Sequence, residues 1–274
     1  MPELPEIENL KRSLEGHLRG QRICSVELRR LDLVKHPEAD SFRQDLCGKR
    51  IESLSRRGKF LLIHMEDGCR LVFHLRMSGR LVCADPAEAE LPHTHLCFRL
   101  ENGKILRYSD VRRFGCIWLL APWEEDHFTG MERLGPDALA SGLSGAYLQE
   151  RLCGRRISVK QALLDQHVLA GLGNIYVDEV LFQAGIRPDR FCKTLQSEDW
   201  QRIAASIPPI LESAILHRGT SFSDYLDGEG KQGENQNFLK AYQRGGELCC
   251  RCGTVMEKIR VAGRGSCFCP QCQK

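Results

Sequence analysis

At 274 residues with 42% apolar content, the chain is long enough for two modest domains or one large one, and it has no shortage of core-forming residues. No apolar run approaches the length of a membrane span, and the acid-containing N-terminus lacks the basic and apolar regions of a secretory signal, which sets aside membrane and exported disulfide-stapled classes. The net charge of +3 is modest but uneven: Lys231 to Lys274 carries eight Lys/Arg against three Asp/Glu, leaving the rest at −2, so the tail suits a polyanion partner. Fourteen cysteines then point to a reducing, cytoplasmic compartment, where thiols serve as core residues or metal ligands.

The chain opens with Met1-Pro2-Glu3-Leu4-Pro5-Glu6. Removal of the initiator methionine, which a small second residue permits, leaves the secondary amine of Pro2 beside the Glu3 carboxylate, a nucleophile with an acid/base group attached. An α-amino group titrates at roughly pH 7.7–8.0, so a sizeable fraction is neutral and nucleophilic in the cell. Ile7, Leu10, Leu14 and Leu18 predict a helix starting after Pro5, whose positive end disfavours the protonated amine.

Short segments of strand character follow. Arg22 to Arg30 alternates, Phe60 to His64 and Arg70 to Met77 are apolar runs, and Leu96, Phe98 and Leu100 share a face before the hairpin turn Glu101-Asn102-Gly103-Lys104 leads into Ile105 to Tyr108. This pattern predicts a β-sandwich or barrel-like N-terminal domain over 1–133, built against the first helix. Leu134-Gly135-Pro136-Asp137 marks the exit into a linker over 134–143. A helical region over 144–232 is predicted from Ala146 to Leu152, Val159 to Val168, Ile175 to Ala184, and a helix capped by Ser197 that reaches about His217, with a break or kink at Pro208-Pro209. Leu169 to Asn174 places glycines before a helix N-terminus, where backbone N–H groups can hold a phosphate. Asp227 to Asn237, rich in Gly, Glu, Gln and Asn, reads as a mobile linker or loop.

Cys249-x-x-Cys252 and Cys269-x-x-Cys272, sixteen residues apart, have the spacing of a four-cysteine zinc ribbon over 233–274. Four sulfurs leave no open position, so the one zinc ion is structural. Cys250 or Cys267 could in principle replace a neighbour, but only the paired spacing gives two matching knuckles. Arg260 to Gly265 between the knuckles is a basic hairpin tip shaped to approach a phosphate, or an ordinary solvated turn. His93-x-His95 alone is a weak metal signal.

Six motifs in order make the chain similar to the bacterial formamidopyrimidine-DNA glycosylases, base-excision enzymes for oxidised purines, over essentially its whole length. They are Pro2 to Glu6, Arg56 to Leu61, His74 to Gly79, Asp110 to Gly115, Gly171 to Glu179 and Cys269 to Cys272. The resemblance implies an α+β multidomain protein with an N-terminal β-sandwich, a helix–two-turn–helix domain and the zinc ribbon, acting as a monomer on double-stranded DNA containing oxidised bases or abasic sites. It implies that Pro2 attacks the sugar C1′ to form a Schiff base, that Glu3 shuttles protons, that Lys59 assists glycosylic cleavage and β-elimination, and that Arg264 contacts the phosphate and assists δ-elimination. Met77, Arg112 and Phe114 match the set that fills the gap left by a flipped base. Asn174 matches a phosphate clamp, and His93, Arg155, His74 and Lys160 match DNA-contacting positions.

Two segments depart from the family pattern: Tyr242-Gln243-Arg244 replaces Tyr-Gly-Arg, and Glu234-Asn235-Gln236 lacks an aromatic before the glutamine. The rival readings are an endonuclease VIII-like glycosylase for oxidised pyrimidines and a non-catalytic zinc-ribbon damage binder. Leu4, Met77 and Leu134 to Asp137 favour the purine branch by resemblance. Retention of Pro2 and Lys59 disfavours a pure binder.

Overall fold

Helix α1 (Leu4–Leu18) follows from a few local features. Pro5 occupies its second position, where a missing N–H does no harm, and the Glu6 carboxylate reaches back to accept from Glu3 N at 2.8 Å. Leu4, Ile7, Leu10, Leu14 and Leu18 lie at helical spacing and are fully buried. The computed structural model describes all residues from Met1 to Lys274.

After α1 come β1 (Ile23–Leu28), β2 (Val34–His36), α2 (Ala39–Leu46), β3 (Ile51–Arg57), β4 (Phe60–Met65), β5 (Arg70–His74), β6 (Gly79–Ala84), β7 (Thr94–Leu100), β8 (Ile105–Asp110) and β9 (Cys116–Leu120). They form two sheets, one in the order β1-β7-β8-β6 and the other β2-β9-β5-β4-β3, antiparallel except for β2 beside β9. Their inner faces and the stripe of α1 share one core, in which Phe73, Phe98 and Tyr108 meet Leu81 and Leu106. The expected sandwich against the first helix is therefore present.

The chain divides into two compact units, one of Met1–Glu132 with His217–Gln236 and the other of Arg133–Leu216 with Asn237–Lys274. Within the first, the segment from Asp227 to Gln236 is not the mobile linker its composition suggests. Asp227 is buried and accepts from Glu229 N and Lys231 N at 3.0 and 2.9 Å and from Arg218, while Gly228 N donates to Ser13 Oγ at 2.8 Å. Its small polar residues fold around one carboxylate.

The second unit holds α3 (Gly145–Leu152), α4 (Val159–Leu163), α5 (Asn174–Ala184), α6 (Ser197–Leu216) and the hairpin β10 (Glu257–Val261) and β11 (Arg264–Phe268). Ser144 and Ser158 cap α3 and α4. Helix α4 stops at Leu163, short of the predicted Val168. There the Gln166 side chain takes over, donating to Leu164 O and Leu172 O at 3.0 and 2.8 Å and accepting from Gly171 N at 2.9 Å, which folds two turns between α4 and α5. Helix α6 begins with Asp199 accepting from Gln196 N at 3.0 Å, so Ser197 is inside the helix and is not its cap. It also runs unbroken through Pro208 and Pro209, so of the break or kink expected there the break is absent. Trp200, Ile203, Ile207, Leu211 and Ala214 are buried on both sides of the pair, and that packing outweighs the lost backbone bonds.

Candidate functional site

Strand register gathers the chemical residues of the first unit at one end of the sandwich. Phe60 pairs with His74 and His74 with Cys116 in one sheet, while Gly79 pairs with Asp110 and Thr94 with Ser109 in the other. Lys59 in the β3–β4 turn, Met77 between β5 and β6, His93 before β7, and Arg112 and Phe114 between β8 and β9 therefore emerge together. Asp110 locks this end. Its Oδ1 accepts from Ser78 Oγ at 2.6 Å and Arg112 N at 3.2 Å, and its Oδ2 from Gly115 N at 2.8 Å and Tyr108 OH at 3.3 Å. Gly115 is required by close approach, since a Cβ there would lie 1.7 Å from the Tyr108 hydroxyl. Arg76, His93 and Arg113 sit at φ 54°, 62° and 61°, so backbone strain concentrates in these connections.

Each predicted residue here has a distinct setting. Met77 and Phe114 are exposed, at 37% and 54%, and the Arg112 guanidinium lies 5.0 Å from the centre of the Phe114 ring. Two apolar side chains and a cation thus face outward. His74 is buried edge-on to Phe60, and its Nδ1 accepts from Arg76 N at 3.2 Å, which leaves the proton on Nε2. Burial, then the charges of Arg76 and Lys59, push its pKa down to about 3. Lys59 is itself buried, an uncommon state for a lysine. Pro2 and Glu3 are buried immediately before α1. The next acid fixes them: Glu6 Oε1 accepts from Thr220 N at 2.8 Å while its backbone carbonyl takes the Tyr225 hydroxyl at 3.1 Å.

In the second unit one helix organises the site. Gly173 caps α5, and Asn174 in its first turn has a buried side-chain oxygen with no hydrogen-bond partner. Further along, Asp178 accepts from Ser266 Oγ at 2.5 Å and Cys267 N at 3.4 Å, holding the β10–β11 hairpin. Glu179 accepts from Lys240, Ala241 and Tyr242 N at 2.8–2.9 Å, holding the turn beside it. Burial raises both carboxyl pKa values, that of Asp178 to about 6, against the pull of these donors. Between hairpin and turn lies a cleft of about 410 Å³ lined by Asn174, Tyr242, Lys258 and Gly265 among others, with the Lys258 ammonium unpaired. A lysine beside a helix N-terminus suits a phosphate, to which the Asn174 side chain can donate only through its Nδ2–H, the unsatisfied Oδ1 being an acceptor.

Arg264 is exposed beside the hairpin tip, which Ala262 and Gly263 turn with φ 48° and 77°. Arg155 pairs with Asp165 at 3.0 Å and stays partly exposed. Lys160 requires a correction, because it is fully buried and its ammonium is occupied by Asp178 Oδ1 at 2.8 Å and Gly265 O at 3.0 Å. It positions the hairpin and does not face solvent.

The Sγ atoms of Cys249, Cys252, Cys269 and Cys272 all lie within 4.8 Å of one another. Cys252 and Cys269 are 3.5 Å apart and Cys249 and Cys272 3.9 Å, close to the edge of about 3.8 Å that a tetrahedron of Zn–S bonds requires. Arg251 N and Cys272 N donate to Cys249 and Cys269 sulfur at 3.4 Å, as zinc knuckles do. The set fits one structural zinc ion, and Cys250 and Cys267 stand outside it.

Family models match in the same order as these parts. That of the formamidopyrimidine-DNA glycosylase N-terminal domain matches residues 1–117, that of the H2TH domain of the same glycosylases 134–225, and that of a zinc finger found in FPG and IleRS 246–274. The chain belongs to the formamidopyrimidine-DNA glycosylase family. It is 47% identical to the formamidopyrimidine-DNA glycosylase of Desulforamulus reducens, covering 100% of this chain and 99% of the relative, and 45% identical to that of Moorella thermoacetica over 95% of each. Among solved structures, Lactococcus lactis Fpg in complex with abasic-site DNA superposes with a TM-score of 0.92 at 37% identity over 99% of both chains. The same enzyme with Fapy-dG DNA gives 0.91, covering 99% of this chain and 100% of the other.

For a glycosylase of this family, the sequence did not announce how the site is held in place. Asp110, Glu6, Asp178 and Glu179 lie inside the motifs that carry the resemblance, but their role as buried acids bonded to backbone N–H groups up to 214 residues away has no local signal. Tyr242 and Lys258 were missed as cleft residues because they come together only once the hairpin folds.

Proposed function

We propose that the chain is a bifunctional DNA glycosylase and abasic-site lyase of base-excision repair that removes oxidised purines, 8-oxoguanine and formamidopyrimidines, from duplex DNA. Family membership over the whole length carries this reading, together with a Pro2 and Glu3 buried at the start of α1. With Met1 removed, the Pro2 amine attacks C1′; the glycosidic bond breaks, and the base leaves with its electron pair and takes up a proton. The C1′–O4′ bond then breaks, O4′ taking up the proton that the amine gives up, and the opened sugar is held as an iminium, an electron sink. Loss of a C2′ proton expels the 3′ phosphate, a second elimination expels the 5′ phosphate, and water releases the amine.

Glu3 moves the protons at the sugar, and Lys59 assists the first cleavage and the β-elimination. Arg264 binds the phosphate and assists the δ-elimination. Met77, Arg112 and Phe114 occupy the gap in the stack and engage the orphaned base. Asn174 holds a phosphate, His74 can offer its Nε2–H to another, and His93 and Arg155 contact the backbone. Zinc supplies folding energy to the hairpin that carries Arg264. A protein so equipped works as a monomer in the bacterial cytoplasm, where its thiols stay reduced.

Borohydride trapping tests this on an end-labelled duplex with one 8-oxoguanine opposite cytosine, beside a thymine glycol duplex. A covalent adduct on the first, mapped to a peptide beginning at Pro2, is the expected result. Trapping only on thymine glycol would place the enzyme in the pyrimidine branch, and binding without any adduct in Met1-free protein would make it a non-catalytic damage binder.

A further inference from the structure

Gln243 occupies a backbone conformation, φ 63°, that glycine or asparagine normally takes. It is the third residue of a turn closed by Arg244 N donating to Ala241 O at 3.0 Å, the position where a positive φ calls for glycine. The turn cannot relax by shifting, because Glu179 grips the N–H groups of the three residues before Gln243. The fold gains nothing visible in return, since the glutamine amide makes no hydrogen bond to the protein. Yet Gln243 lines the same cleft as Asn174, Tyr242 and Lys258. Strain kept at a recognition cleft, by a residue with an unused donor, points to a ligand contact.

We propose that Gln243 is a further DNA-contacting residue of this enzyme, its side-chain amide donating to the backbone phosphodiester received between Asn174 and Lys258. The proposal rests on the DNA glycosylase reading given above. It makes the glutamine a binding residue for the strand, distinct in kind from Lys258: an uncharged donor releases no counterion, so its contribution is independent of salt, whereas that of a lysine is not.

The experiment is equilibrium binding of the full-length protein to a duplex containing a tetrahydrofuran abasic analogue at several salt concentrations, with thermal unfolding of each variant. Gln243→Gly relieves the strain and removes the amide, so its Tm should rise by about 2–4 °C while affinity falls about three- to tenfold. Gln243→Ala removes the amide and keeps the strain. It should bind as weakly as the glycine variant without gaining stability, which separates loss of the donor from loosening of the turn. Both should keep the wild-type salt slope, and Lys258→Ala should lower it by about one. Wild-type affinity in Gln243→Ala, with Lys258→Ala still weakened, would overturn the role of Gln243 alone. Failure of the wild-type protein to bind the duplex would instead overturn the DNA glycosylase reading and this inference with it.

Discussion

The Ser78 hydroxyl donates to Asp110 Oδ1 at 2.6 Å and so joins the two connections that cross between the sheets at one end of the first unit. One buried carboxylate thereby fixes both the turn bearing Met77 and the turn bearing Arg112 and Phe114. On the proposed reading Met77, Arg112 and Phe114 enter a base stack and must hold their position against it; the stiffness for that would come from Asp110 and the close Gly115–Tyr108 contact.

Asp110→Asn keeps the volume but turns one acceptor into a donor, leaving a buried hydroxyl or N–H unpaired. The fold should lose about 2–4 kcal/mol. Because the wedges then drift, base excision from an 8-oxoguanine duplex should fall by about tenfold or more, and cleavage at a preformed abasic site by less. Single-turnover rates on the two substrates, read against Tm, decide the matter. Equal losses on both would assign Asp110 to stability alone.

His74 links the same end to pH. Its folded pKa of about 3 lies below the ordinary histidine value, so the unfolded chain takes up a proton that the folded chain does not. The stability held by neutral His74 is therefore complete above about pH 6.5 and drains away as pH falls toward 3. Between pH 6.5 and 5 that amounts to about 1.6 kcal/mol. Denaturant unfolding of wild type and His74→Asn across this range should show a flatter curve for the variant. Parallel curves would mean that the ring titrates normally in the folded protein.

How far the sequence reveals these features depends on whether the signal is local. Helix α1, the β7–β8 hairpin and the cysteine knuckles are set by neighbours a few residues apart, and they read directly. Strands β6 and β9 are nearly continuous buried runs, so the alternation that betrays a half-exposed strand is missing. Helix α2 buries only Phe42 and Leu46, too few for a stripe. Lys160 reads as a surface cation until Asp178, eighteen residues on, is seen to enclose it, and the Asp227 loop reads as a linker because its order comes from one carboxylate. The motifs that carry chemistry were legible, the acids Glu6, Asp110, Asp178 and Glu179 among them; the long-range bonds those acids make were not.

Cys272→Ser should show that the zinc module is metal-dependent. Its core is small, with Phe182, Ala241, Cys249, Met256 and Cys269 packed together, and cannot by itself hold β10 and β11 in place. The variant should lose its zinc and bind duplex at least about tenfold more weakly, because Arg264 and Lys258 both ride on that hairpin. Metal content by atomic absorption, beside duplex affinity, is the check. A zinc content equal to that of the wild type would remove Cys272 from the ligand set.

The Lys160–Asp178 pair makes the sharpest energetic prediction because both side chains are almost wholly out of water. Breaking one half leaves the other charge buried without its partner, so Lys160→Met should destabilise the protein by about 3–5 kcal/mol. Removing both charges in Lys160→Met/Asp178→Leu should recover part of that loss, although Ser266 Oγ and Cys267 N then lose their acceptor. The hairpin would no longer be tied to α5 by its backbone, so duplex affinity should stay low even where stability returns. Urea unfolding and duplex binding on the two single variants and the double separate these effects. If affinity recovers together with stability, the pair is a folding element only and does not aim the hairpin.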